Sequence, residues 1–202
     1  SDSVPSLILV GREGREGPLY DLADEIYYDA IAKIFVTLSV DQVPREELSE
    51  KLSGVASAIW PSQTMQKFFA GPVGDIEFDD AAARKAVRAL KDELGPEGLP
   101  ITCTSDITEI RNANLILGAS SSIEPMITAD VLGEGPIVIC DVALPMDTHE
   151  SALEREDVTV MLGGLVKLPL NPKFVVDGIP VIEGHAYACM RETLLLGLLG
   201  LS

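Results

Sequence analysis

Four short apolar runs constrain what the second half of this chain can become: Ile101–Thr104, Leu115-Ile-Leu-Gly-Ala-Ser120, Ile137–Asp141 and Val158-Thr-Val-Met-Leu-Gly-Gly164. Short, largely apolar runs of strand length suit the buried strands of a sheet. Brief helical or loop stretches separate them, so the pattern predicts an α/β fold with a mostly parallel sheet and flanking helices. Leu7–Val10, at the other end of the chain, reads as one more strand of the same kind. Ligands of such sheets gather at the carboxyl ends of the strands. Standing there are Gly11 and Arg12, then Ala119, Ser120, Ser121 and Ser122, then Asp141, and finally Gly163 with Gly164. Small residues at these places would let a ligand approach the backbone.

Between the first strand and the others the rhythm is helical. Pro18 suits a first helical turn, and Leu19, Leu22, Ala23, Ile26, Tyr27, Ala30, Ile31, Ile34, Phe35 and Leu38 recur at three- and four-residue spacing. Pro44 is expected to open a second helix with Leu48, Leu52, Val55 and Ile59 in one stripe, ended by Pro61. A shorter piece with Met65, Phe68 and Phe69 follows, broken by Gly71-Pro-Val-Gly74. Asp79 reads as the N-cap of a further helix over residues 81–94, and Gly95-Pro-Glu-Gly98 closes the region. Asp106, with Glu109 at capping-box spacing, opens a brief helix. Later, Lys167-Leu-Pro-Leu-Asn-Pro-Lys173 reads as a stiffened loop and Val175-Val-Asp-Gly-Ile-Pro-Val181 as a hairpin turning at Asp177-Gly178.

Charge and cysteine usage narrow the function classes. With 32 acidic against 15 basic residues the formal net charge is −17, which makes nucleic acid and anionic membranes poor partners. The longest apolar run, at the C-terminus, is too short for a membrane span. Cys103, Cys140 and Cys189 are odd in number and widely spaced, which points to a reducing, cytoplasmic setting rather than a disulfide framework. Two histidines and no Cys-x-x-Cys give no metal-binding order.

Of the cysteines, Cys103 and Cys140 lie in or beside apolar strands and read as core. Cys189 stands just inside a strongly apolar helical run, in Glu183-Gly-His-Ala-Tyr-Ala-Cys-Met-Arg-Glu192. The free N–H groups and partial positive charge of a helix start favour the thiolate, which is the nucleophilic form. His185, four residues earlier, would share its helical face if the helix began that soon. A small buried cysteine beside a satisfied histidine is the alternative.

A dinucleotide-binding chain carries Gly-x-Gly-x-x-Gly between its first strand and helix. Here Gly11, Gly14 and Gly17 give Gly-x-x-Gly-x-x-Gly, and Glu13 and Glu16 would face a pyrophosphate with the wrong charge. The loop fits better the end of a second nucleotide-binding strand, where a basic residue, here Arg12, accommodates the 2′-phosphate of NADP. A charged surface turn is the other reading. Asp141 could orient the nicotinamide side or cap the turn that follows it.

The segments Leu7-Ile-Leu-Val-Gly-Arg12, Asn114-Leu-Ile-Leu-Gly-Ala-Ser120, Ile139-Cys-Asp-Val142, Gly163-Gly-Leu-Val166 and above all Tyr187-Ala-Cys-Met-Arg-Glu192 resemble the C-terminal Rossmann half of long-chain acyl-acyl carrier protein reductases, in the same order. The resemblance covers roughly residues 5–12 and 100–200. It implies a Rossmann-like fold, NADP as cofactor, acyl carrier protein or acyl-CoA thioesters as partners, and Cys189 as the nucleophile whose acyl-enzyme is reduced to an aldehyde. His185, Met190 and Arg191 do not match the family, and His185 as a proton donor rests on its place in this sequence alone.

The family's first strand, glycine loop and following helix have no counterpart. The resemblance thus implies a fragment of a longer enzyme: a Rossmann strand and turn over 1–17, a helical insertion over 18–98, and the rest of the domain with its C-terminal helix over 99–202. A sheet lacking that strand would expose a pairing edge, which predicts association with the missing segment or with another copy. Two other functions fit the same pattern. One is a Rossmann dehydrogenase of the shikimate or amino-acid type with Cys189 merely packed; the other is a non-catalytic interaction module.

Overall fold

The computed structural model describes residues 6–14, 16–71, 77–167 and 184–199. The chain forms a mixed α/β structure with small parallel sheets, divided into two compact units, Ser1–Glu109 and Ile110–Ser202.

In the first unit β1 (Leu7–Val10) pairs in parallel with β2 (Ile101–Thr104), Leu7 opposite Ile101 and Val10 opposite Thr104. Between them in sequence runs α1 (Gly17–Phe35), with Pro18 in its first turn as the spacing implies. Its buried side is Ala23, Tyr27, Ala30, Ile31 and Ile34. The helix then loosens into a π-helical turn, Val36–Val40, that buries Leu38.

The single helix expected after Pro44 is broken. A 3₁₀ turn, Arg45–Glu47, leads into α2 (Leu48–Lys51), and the chain then extends through Leu52 and Ser53 before α3 (Gly54–Ile59). Gly54 takes φ +58°, the left-handed region that glycine enters without strain. The break redirects the stripe so that Leu48, Leu52, Ala56 and Ile59 are all buried. In α4 (Gln63–Phe68), Ser62 caps Met65 N–H at 3.2 Å. Glu93 accepts from the N–H groups of Gln63 and Thr64 at 2.7 and 2.8 Å, satisfying the helix start from outside. Residues 72–76, within the expected break, lie outside the described residues.

Glu93 belongs to α5 (Asp80–Gly98), whose N-cap is Asp79 as its position before the alanine run implies: Oδ1 accepts from Ala81 and Ala82 N–H at 2.8 and 3.1 Å. The regular helix yields at Gly95, φ +63°, just before Pro96. α5 faces α1 through Lys91–Asp24 at 2.6 Å and Arg84–Glu25 at 2.8 Å, while Ala83, Ala86, Val87 and Leu90 fill the core.

Tyr27 joins helix to sheet. It is 1% exposed, and its Oη accepts from Ile101 N–H at 3.3 Å. Burial pushes its phenol up to about 12. The unfolded chain's phenol ionises near pH ~10, so this stability is whole below that pH and is lost as pH rises toward the folded value, by about 2 kcal/mol. Urea unfolding of the wild type and Tyr27→Phe at pH ~9 and ~12 should show that extra loss in the wild type alone.

In the second unit β3 (Leu115–Gly118), β4 (Ile137–Asp141) and β5 (Val158–Leu162) form a parallel sheet in sequence order. Helical content here is less than the alternation implied. A 3₁₀ helix, Ile107–Asn112, precedes β3, and only α6 (Glu150–Leu153) lies between β4 and β5. The β3–β4 connection contains Pro125, Gly133, Gly135 and Pro136, which break helices, and holds no helix among the described residues. Asp106 caps the 3₁₀ helix, accepting from Thr108 N–H at 2.9 Å.

After β5 the chain turns through Gly163 and Gly164 into β6 (Leu165–Lys167), which pairs antiparallel with β7 (His185–Tyr187); α7 (Ala188–Leu199) follows at once. The sequence does not reveal this pairing, because three residues carry no readable period. The expected hairpin near Asp177 and all of the proline loop beyond Lys167 lie outside the described residues.

Candidate active site

The register aligns Gly118, Asp141 and Leu162, so β3, β4 and β5 end at one level and their exits meet. Two carboxylates converge there. A Cβ on Gly118 would stand 3.3 Å from Asp141 Oδ1 and 3.3 Å from Asp147 Oδ2. Asp141 and Asp147 are each 2% exposed.

Both carboxylates are spoken for by the loops around them. Asp141 Oδ2 accepts from Thr148 N–H at 2.8 Å and Thr148 Oγ1 at 2.7 Å, and its Oδ1 accepts from Ala143 N–H at 3.0 Å. Of the two roles open to Asp141 in the sequence, the geometry displays the cap. Ser120 gives its N–H to Asp147 Oδ2 at 2.8 Å and its hydroxyl to Asp147 Oδ1, and its Oγ takes the N–H of Ser122 at 3.0 Å. Sequence reasoning missed Asp147, since a lone aspartate in a proline-containing loop gives no signal of burial. Ala119 and Ser121, on either side of Ser120, are exposed.

The glycines at the strand ends serve packing more than access. A Cβ at Gly163 would meet Val142 Cγ1 at 2.2 Å and Cys140 Sγ at 3.2 Å, and the Gly163 N–H donates to Asp141 O at 2.7 Å. Gly11 is similar: its N–H donates to Thr104 O at 3.0 Å, and a Cβ would fall 2.8 Å from the Leu19 side chain of α1. Arg12 follows, exposed at the carboxyl end of β1 in the first unit. Gly164, at φ +78°, has open space where a side chain would be.

Gly164 also fixes the cysteine-bearing helix. Its carbonyl accepts from Ala188 N–H at 2.7 Å, pinning the start of α7 to the turn that follows β5. Cys189 is the second residue of α7, at the helix mouth where the apolar run begins. The expectation that His185 shares a helical face with Cys189 is corrected: His185 lies on β7, half-buried, and the helix begins only at Ala188. Pairing of Lys167 with His185 and Leu165 with Tyr187 holds those residues extended.

The other cysteines sit on strands, as read. Cys103 on β2 is half-buried, its thiol 3.6 Å from Leu19 O, and burial pushes that thiol up, away from the reactive form. Cys140 on β4 is half-buried beside Gly163. Among the described residues no three His, Cys, Asp or Glu side chains gather to hold a metal ion. No helix among them is long and apolar enough to cross a membrane.

For a dinucleotide the strand ends fit only in part. In the second unit Ala119, Ser121 and Gly164 lie at the surface; in the first, Arg12 is exposed at the end of β1 and carries the kind of charge that a 2′-phosphate needs. Asp141, Asp147 and Ser120 do not fit: Ser120 and Asp147 are bonded to each other, Asp141 is taken by Ala143 and Thr148, and two buried carboxylates would repel a pyrophosphate. No protein-family model, no curated protein and no solved structure matches this chain.

Proposed function

We propose that this chain carries the acyl-accepting part of an NADPH-dependent acyl-thioester reductase on a Rossmann-like framework, with Cys189 as the nucleophile. One observation carries the reading: α7 starts one residue before Cys189 and is tied by the Ala188–Gly164 hydrogen bond to the exit of a parallel strand. A thiol in the first turn of a helix feels unpaired N–H groups and the positive end of the dipole, which favour the thiolate. That thiolate attacks the carbonyl carbon of an acyl-carrier protein or acyl-CoA thioester. The bond from carbonyl carbon to carrier sulfur breaks, the carrier leaves as its thiolate, and it takes up the proton that Cys189 released. NADPH, when bound, would supply a hydride to the acyl carbon, and the bond from that carbon to the Cys189 sulfur would break, freeing the aldehyde and the Cys189 thiolate. Ala119, Ser121 and Gly164, in the unit that carries Cys189, are the surface positions offered to the nucleotide.

Intact-mass measurement tests the acyl step directly. Incubation with a fatty acyl-CoA, and separately with a fatty acyl-carrier protein, should add one acyl group to the wild type, to Cys103→Ser and to Cys140→Ser, but none to Cys189→Ser. Acylation that persists in Cys189→Ser, or its absence from the wild type, ends this reading. A non-catalytic interaction module is the second reading. It is favoured by the engagement of Ser120 with Asp147 and of Asp141 with Ala143 and Thr148, which occupies polar groups at the strand ends.

A further inference from the structure

The chain has two histidines, and one of them, His149, is the N-cap of α6. Serine, threonine, aspartate and asparagine are the usual caps, because a side-chain oxygen accepts from the first free N–H groups of a helix. Here a ring nitrogen takes that place: Nδ1 accepts from Ser151 N–H at 3.1 Å. The same nitrogen lies 2.9 Å from Ser151 Oγ, and that oxygen accepts from Ala129 N–H at 3.1 Å. The His149 N–H donates to Ile127 O at 2.9 Å. The start of α6 and the β3–β4 connection are therefore fastened at one point, through Ile127, Ala129, His149 and Ser151. The ring itself is exposed, so protons reach it from solvent.

Nδ1 accepts only while it carries no proton. An imidazole ordinarily changes charge between pH ~5 and ~8, a range in which an oxygen cap keeps its acceptor. Once protonated, Nδ1 has no lone pair and turns an N–H toward the Ser151 N–H, which loses its partner. The contact with Ser151 Oγ reverses rather than breaks. The hydroxyl donates to the neutral ring and accepts from the charged one, and its second lone pair still serves Ala129 N–H.

We propose that His149 is a pH-responsive cap, which holds Ser151 N–H when neutral and releases it when charged, while the Ser151 hydroxyl keeps hold of the β3–β4 connection in both states. The charged groups nearby make this an exchange of partners rather than an unfolding. Asp130, on that connection, is a carboxylate whose ionised form the charged ring favours, as does Arg111 of the 3₁₀ helix before β3, which donates to Asp130 O at 2.7 Å. A hydrogen bond from Thr128 is the first cause that holds the Asp130 carboxyl below its ordinary range, so it stays ionised where imidazoles titrate. Glu150 adds a further negative charge in the first turn of α6. Arg155, just beyond α6, donates to Ala129 O and Gly133 O at 3.3 and 2.7 Å and anchors the connection independently of the ring.

Amide exchange of the full chain followed by NMR, with each rate divided by the intrinsic rate at its pH, tests the release at Ser151. Between pH ~8 and ~5.5 the protection of Ser151 N–H in the wild type should fall at least about fivefold, the loss of one N-cap, while that of Ala129 N–H changes less than about twofold. His149→Asn keeps an accepting oxygen that does not titrate, so Ser151 should be equally protected at both pH values. In His149→Ala it should be poorly protected at both. Constant protection of Ser151 in the wild type overturns the proposal, as does protection that survives in His149→Ala. So does a pH dependence that persists in His149→Asn, which would trace it to His185 or a carboxylate. Equal losses at Ala129 and Ser151 overturn it as well, because the connection would then come away with the cap.

Discussion

Replacing Asp141 with alanine should destabilise the protein by about 4 kcal/mol, at roughly 1–3 kcal/mol for each donor left without a partner away from water. Three donors depend on that carboxylate: the N–H groups of Ala143 and Thr148 and the Thr148 hydroxyl. Thr148 is 4% exposed, so water cannot readily replace what is lost. Asp141→Asn should cost about half as much, because the carboxamide keeps one acceptor oxygen and turns an NH₂ group toward a donor. Urea unfolding at neutral pH measures both. A loss below about 1 kcal/mol for the alanine variant would mean that these donors find solvent in the folded chain.

The second large effect belongs to Phe69, which is fully buried, with its ring centroid 4.9 Å from that of Phe68 and 6.2 Å from that of Trp60. Phe69→Ala removes the ring and leaves a cavity in the cluster that joins α3, α4 and α5, at a cost of about 3–5 kcal/mol. Phe69→Leu restores most of the volume and should cost less than half of that. The urea midpoint should fall while the slope of the transition stays constant. Equal losses in the two variants would show that the aromatic contacts, rather than the filled volume, hold the cluster.

Elements whose local chemistry and tertiary role agree were legible in the sequence. The apolar runs at Leu7, Ile101, Leu115, Ile137 and Val158 became parallel strands, and α1 follows its own spacing from Pro18 onward. Asp79 capped the helix it preceded because its side chain competes for the N–H groups just beyond it. The break at Leu52 and Ser53 was not legible, since Leu48, Leu52, Val55 and Ile59 fit an unbroken helix and only burial against the rest of the core rejects it. At the candidate site the place of Cys189 at a helix start was readable from the onset of the apolar run. The role of the strand-end glycines was not. A missing side chain serves a ligand or a neighbouring helix equally well, and at Gly11 and Gly163 the neighbours Leu19 and Val142 take the space. Asp147 acquires its meaning only when the fold brings Ser120 to it.

The bonds at the strand ends also form one unbroken line. It passes from Ser120 to Asp147, along the backbone to Thr148, across to Asp141, from the Asp141 carbonyl to Gly163, and from Gly164 to Ala188. Each link is a direct hydrogen bond or a step along the chain, with no long flexible side chain between them. The start of the cysteine helix is thus linked, bond by bond, to the exits of all three strands, so a substitution at any one link is expected to bear on where that helix begins.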